Sequence, residues 1–146
     1  MADVNVELGH AGRKDNWICI DKFGYPDYKL DLEKGILPFA DNSVDCVYAC
    51  HVLEHIVNLI PLTNEVWRIL KPTGTFKIQV PMYPSTDCFI DPTHVRVFTE
   101  HTFNYWLPEI GFNKMYGIEP WEQLSKDTSN HLTVELRPIK EYMSPF

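Results

Sequence analysis

The five residues His51-Val52-Leu53-Glu54-His55 place two imidazoles and a carboxylate in one short stretch. On a helix, His-x-x-Glu-His spacing turns both histidines to one side, where they could share a metal ion, the chemistry of a zinc peptidase. That reading needs a helix and a third ligand downstream; Glu100 and Glu119 are the acids that could be offered. The stretch instead follows directly on Cys46-Val47-Tyr48-Ala49-Cys50, a mostly apolar run of strand character, with no capping residue between. His51 is therefore expected at the carboxyl end of a strand, where ligands bind in open α/β sheets. No metal set is read from the sequence, and His55 reads as a packed or capping histidine.

Three acids stand at similar places. Glu7 closes the run Val4–Leu8 two residues before Gly9, Asp21 ends Trp17-Ile18-Cys19-Ile20, and Asp31 follows the next short segment. An acid after the second strand of such a sheet accepts hydrogen bonds from ribose hydroxyls. Together the three acids and the glycine turn describe an adenosine pocket. A dinucleotide site would show Gly-x-Gly-x-x-Gly and a helix aimed at the pyrophosphate. The turn here is Gly9-His10-Ala11-Gly12-Arg13, with the helix missing or vestigial. S-adenosylmethionine, which has no phosphate, fits better.

The elements that must carry these residues follow from periodicity. Strands are expected at 4–8, 17–20, 44–50 and 76–80, with two more at about 114–119 and 131–137. Leu62, Val66, Ile69 and Leu70 recur at helical spacing after Pro61, and Lys71-Pro72 should stop that helix. Thr99 should cap a second helix through Ile110, with Phe103, Trp106, Leu107 and Ile110 on one face and Gly111 as its stop. Residues 23–30 read as irregular and 82–98 as a long loop, usually a functional feature. The fold class is α/β: a Rossmann-like, mostly parallel sheet flanked by helices, with a reduced first crossover helix and a C-terminal antiparallel strand pair. The aromatic C-terminal half (Tyr105, Trp106, Tyr116, Trp121) offers core, a substrate wall or the face of a homodimer.

The 146 residues read as one domain, 1–146, and 45% hydrophobic content allows a real core. A net charge of −7 argues against nucleic acid as partner, which would call for a basic face. Neither a run of 18 apolar residues nor a signal-peptide pattern at MADVNVELG is found, so no membrane partner is expected. Four cysteines without a C-x-x-C pair fit a reduced, cytoplasmic setting.

The blocks VELGHAG, WICID, DLEKGILPFADNSVDCVYACHVLEHI and EVWRILKPTGTFKIQVP resemble the small class I S-adenosylmethionine-dependent methyltransferases, of the type 11-like kind. The resemblance implies S-adenosylmethionine as cofactor. Glu7 and Gly9 match the acidic-glycine first motif, in which this chain has His10-Ala11 where the family has a second glycine. Asp21, with Lys22 beside it, matches the ribose acid, and Asp31 and Leu32 match the adenine-contacting pair. His51 matches the residue flanking the methionine end.

The segment IDPTHVRVFTEHTF, residues 90–103, resembles one found in a subset of these enzymes associated with surface-polysaccharide biosynthesis or phage genomes. His94 could act as general base, Asp91 could orient it, and Arg96 could hold an anionic group. Equally, Asp91-Pro92-Thr93 could be a turn and Arg96 the partner of a core carboxylate. The expected reaction is methyl transfer to an oxygen or nitrogen of a small molecule or of a glycan or sugar precursor, a displacement that needs in-line alignment more than strong acid–base help. The alternatives are a cofactor-binding module without transfer activity and the zinc peptidase.

Overall fold

The computed structural model describes residues 2–9 and 15–141. Seven strands form one sheet: β1 (Asn5–Leu8), β2 (Ile18–Asp21), β3 (Tyr28–Lys29), β4 (Val44–Cys50), β5 (Leu70–Val80), β6 (Trp121–Asp127) and β7 (Leu132–Pro138). Their order is β3-β2-β1-β4-β5-β7-β6. The first five strands are parallel, and β7 runs antiparallel between β5 and β6. The strand order reverses between β1 and β4, the place where an open sheet leaves a crevice at its carboxyl edge.

The core lies on one face. Val6 and Leu8 of β1, Val47 and Ala49 of β4, and Phe76 and Ile78 of β5 are fully buried and form one cluster. Helix α1 (Leu59–Ile69) lays Leu62, Val66 and Ile69 into it. Each such side chain contributes about 1.5–3 kcal/mol on burial. Pro61 stands in the first turn of α1, where its missing N–H costs nothing. The helix ends at Ile69 because Leu70 is extended (ψ 139°), and β5 begins there without a separate turn. Residues 71–74 form an irregularity within β5, where its register against β4 shifts between Leu70 and Thr75.

The opposite face carries a polar row. Cys19, Glu7, Tyr48, Lys77 and Glu135 are register partners across β2, β1, β4, β5 and β7. Among the described residues no helix joins β1 to β2 or β2 to β3, whereas a parallel sheet is normally covered on both faces. Residues 22–27 join β2 to β3 without a helix. Trp17 packs edge-on against Tyr48, and Lys77 Nζ lies 5.9 Å from the Tyr48 ring centre. Burial, then a hydrogen bond to Cys50 and the charges of Cys50 and Glu7, push the Tyr48 phenol up to about 12.

Two expected elements differ for local reasons. The helix expected over 99–110 is two 3-10 segments, Thr102–Trp106 and Pro108–Ile110. Pro108 cannot continue a helix, and it forces Leu107 into an extended conformation (φ −95°, ψ 125°). The strand expected at 114–119 is a single helical turn, α3 (Asn113–Tyr116), ended by Gly117, and the partner of β7 begins at Trp121 instead. Residues 23–30 include the two-residue β3, and the loop 82–98 includes one turn, α2 (Asp87–Ile90).

Side chains on α1 tie down the segment before β6. Asn64 donates to Gly117 O (2.8 Å) and accepts from Glu119 N (2.9 Å), and Trp67 Nε1 donates to Pro120 O. Trp106 and Trp121 are core, while Tyr105 and Tyr116 are exposed and pack with Phe112. No helix among the described residues is long and apolar enough to cross a membrane.

Candidate cofactor and acceptor site

A cavity of about 550 Å³ opens at the carboxyl ends of β1, β2 and β4. Of the expected cofactor residues, Gly9, Asp21, Lys22, Asp31, Leu32 and His51 all line it. His10 and Ala11 lie outside the described residues. Glu7 does not line the cavity. Side chains alternate along a strand, so Glu7 points into the polar row with Cys19 and Tyr48 and is 2% exposed.

Asp21 ends β2 and uses Oδ1 to accept from Phe23 N (3.2 Å). Asp31 caps the 3-10 turn Leu32–Lys34 by accepting from Glu33 N (3.0 Å). Each carboxylate is fixed through one oxygen at the cavity wall. Leu30, Leu32, Val52 and Ile56 supply the apolar surface between them. The floor is Gly9, held at φ +80° with its N–H donating to Ile20 O (2.8 Å).

The histidine stretch is not an α-helix. His51 adopts φ +57°, an uncommon conformation for a side-chain-bearing residue, and Leu53–His55 is one 3-10 turn. His51 and His55 therefore do not share a helix face, and the zinc-peptidase arrangement is absent. Glu33 secures the following chain by accepting from Val57 N and Asn58 N. Arg96 donates to Ile56 O (2.9 Å) and Val57 O (2.8 Å). Burial lowers the Arg96 pKa from its ordinary value. Its guanidinium is held on this backbone, with carbonyls rather than a core carboxylate as hydrogen-bond partners, and Arg96 lines one hollow together with Asp91 and His94.

His94 and Asp91 do come together, and they bring residues with them. Asp91 Oδ1 accepts from Thr93 Oγ1 (2.7 Å) and Thr93 N (2.9 Å), so Asp91-Pro92-Thr93 is a turn. These two bonds, the hydroxyl first, hold the Asp91 carboxyl below the usual carboxylate range. Thr93 Oγ1 lies 2.9 Å from His55 Nδ1, and both His55 and Thr93 line the cavity. The His55 and His94 rings meet edge to face at 4.7 Å. Asp91 Oδ2 is 4.0 Å from His55 Nε2 and 3.9 Å from His94 Nε2. Glu54, 2% exposed, lies 3.5 Å from His51 Nδ1 and 4.0 Å from His94 Nε2. A second hollow of about 380 Å³ lies on the far side of this cluster, lined by Phe89, Asp91, Pro92, His94, Val95 and Val97 among others.

Glu54, His55 and Thr93 were not read as site residues. The spacing within His51–His55 was the only signal for the first two. Their meeting with 91–94 depends on the loop returning to donate Val95 N to Glu54 O (2.8 Å), which no local pattern reports.

A family profile described as a methyltransferase domain matches residues 15–78. A Mycolicibacterium smegmatis protein named "Probable S-adenosylmethionine-dependent methyltransferase" is 30% identical over 95 residues, 60% of this chain and 36% of that protein. The ubiquinone/menaquinone biosynthesis C-methyltransferase UbiE of Haemophilus ducreyi is 26% identical over 131 residues, 90% of this chain and 48% of that protein. The crystal structure of a SAM-dependent methyltransferase from Archaeoglobus fulgidus superposes with a TM-score of 0.67 at 15% identity, covering 92% of this chain and 86% of that one.

The chain is similar to S-adenosylmethionine-dependent methyltransferases over these segments and shares their fold. It spans between a third and a half of the length of the two curated relatives. Its cavity suits the family's cofactor. Asp21, Asp31 and Glu33 outnumber Lys22 in the lining, which favours a cationic ligand over a phosphorylated one. Among the described residues no helix follows β1 to receive a pyrophosphate. Were S-adenosylmethionine to bind in this cavity, Gly9, Asp21, Asp31, Leu32 and His51 would surround it.

Proposed function

We propose that this domain, residues 1–146, transfers a methyl group to an oxygen or nitrogen of a small molecule or glycan precursor. The observation that carries the reading is the meeting of the Asp21–Asp31–His51 cavity with the His55–Thr93–Asp91–His94 cluster at its edge. S-adenosylmethionine, when bound, supplies an electrophilic methyl on a sulfonium sulfur. The chain's own residues do the rest. Asp21 and Asp31 fix the nucleoside so that the opposite end faces the cluster. Leu30, Leu32 and Ile56 exclude water from the base.

An acceptor reaching the cluster from the second hollow would meet the apolar side chains of Phe89, Pro92, Val95 and Val97. Its hydroxyl or amine proton passes to an imidazole Nε2, with Asp91 holding the resulting charge. Alignment contributes more to such a displacement than the base does, so loss of one imidazole should slow the reaction rather than stop it.

The test is transfer of labelled methyl from S-adenosylmethionine to panels of hydroxyl-bearing and amine-bearing small molecules and sugar nucleotides. Label in any oxygen or nitrogen acceptor supports the reading. Label appearing at carbon alone, or in no acceptor while the cofactor binds, contradicts it.

A further inference from the structure

We propose that Glu54, His55 and His94, with Asp91 beside them, bind a divalent transition-metal ion of the zinc class. The sequence pattern suggested a metal through His51 and His55 on a helix. The structure offers a different set, and one ligand atom each from Glu54, His55 and His94 lie within 4.8 Å of one another.

The hydrogen bonds around the rings decide what these atoms can do. His94 Nδ1 lies 3.1 Å from Cys88 O. A carbonyl only accepts, so Nδ1 carries the hydrogen, and in the neutral ring Nε2 is a bare lone pair. Thr93 donates its hydroxyl hydrogen to the Asp91 carboxylate, so its oxygen accepts from His55 Nδ1, and His55 Nε2 is a lone pair as well. Both lone pairs face Asp91 Oδ2, at 4.0 and 3.9 Å, and His94 Nε2 also faces Glu54 Oε2 at 4.0 Å. Four acceptors thus converge with no donor between them.

Glu54 sharpens the point. It is 2% exposed, and its Oε1 has no hydrogen-bond partner among the described residues. Its Oε2 lies 3.5 Å from His51 Nδ1 and 4.0 Å from His94 Nε2, so the buried carboxylate is weakly paired, a cost that a bound cation would offset. A metal with bonds of about 2.0–2.2 Å needs donors a little over 3 Å apart, which small side-chain rotations would give. The outer nitrogen of each ring is already held by an oxygen, the arrangement that fixes the orientation of metal-bound histidine. Imidazole with carboxylate selects zinc, cobalt or another first-row ion over magnesium or calcium.

The ion would sit between the two hollows. Binding does not depend on methyl transfer; if transfer occurs with the ion bound, both Nε2 atoms are taken, and the ion in place of an imidazole would make an acceptor hydroxyl lose its proton more readily.

The full chain is stripped with chelator and titrated with Co²⁺, followed by visible absorption and calorimetry. One ion per chain should bind with ligand-field bands of a nitrogen–oxygen site, and Zn²⁺ should displace it. His55→Gln, at a half-exposed position, and His94→Gln should each weaken binding at least about tenfold, while His131→Gln should not. Circular dichroism checks that each variant is folded. Absence of binding at millimolar Co²⁺ in the wild-type chain overturns the proposal whatever the variants do. So does binding that survives both substitutions or that disappears with His131→Gln.

Discussion

Gly9 and Val52 are packed so closely that a Cβ on Gly9 would lie 2.5 Å from Val52 Cγ2. The glycine also sits at φ +80°, a conformation that side-chain-bearing residues rarely adopt. Both features join the end of β1 to the end of β4 across the strand-order reversal, and both residues line the cofactor cavity. Gly9→Ala should therefore destabilise the fold by about 2–4 kcal/mol and weaken S-adenosylmethionine binding. Adding Val52→Ala removes the clash but not the backbone strain. Chemical denaturation of the two single variants and the double variant should show the double less destabilised than the sum. Strict additivity would mean that the contact does not matter.

The second prediction concerns the indole that anchors the segment after residue 98. Trp106 Nε1 donates to Thr63 Oγ1 at 3.0 Å, and Thr63 is 1% exposed. Thr63→Val preserves volume but leaves the buried N–H without an acceptor. Urea unfolding should show a loss of about 1–3 kcal/mol. A change within experimental error would show that the indole finds another acceptor.

Acid stability should depend on Glu65. Its carboxylate accepts from Arg68 Nε (2.7 Å), Arg68 Nη2 (2.8 Å) and Leu37 N (2.7 Å). The Arg68 bonds, more than the opposing effect of burial, hold its pKa below the usual glutamate value. A depressed carboxylate contributes stability that is fully present above the unfolded-state pKa and lost as pH falls through the folded one. Glu65→Gln should cost about 1–3 kcal/mol at neutral pH. The gap between variant and wild type should close as pH drops below 4.5 toward the lower folded value. Thermal melts across that range would show it, and a pH-independent gap would count against the ionised clamp.

The sequence made the sheet legible because its strands are short apolar runs with acids or glycines at their ends. Asp21, Asp31 and His51 could be placed on one rim for the same reason, since a strand end fixes where the next side chain points. What was illegible depended on partners distant in sequence. Glu7 looked like a rim residue, but the pleat turns it to the other face. Arg96 lines the second hollow with Asp91 and His94, but its carbonyl partners at Ile56 and Val57 are supplied by the chain before α1, which no local pattern reports. The break at Pro108 was readable in principle, and the helical spacing of Phe103, Trp106 and Ile110 outweighed it wrongly. His55 looked inert until the loop delivered Thr93 and His94 to it.

The most direct test is calorimetric titration of the full chain with S-adenosylmethionine and S-adenosylhomocysteine, alongside Asp21→Ala. Wild type should bind both. The variant should bind about ten- to a hundredfold more weakly, the loss expected for one or two charge-assisted hydrogen bonds to the ribose. No heat at millimolar ligand, or equal affinity for wild type and Asp21→Ala, would contradict the account.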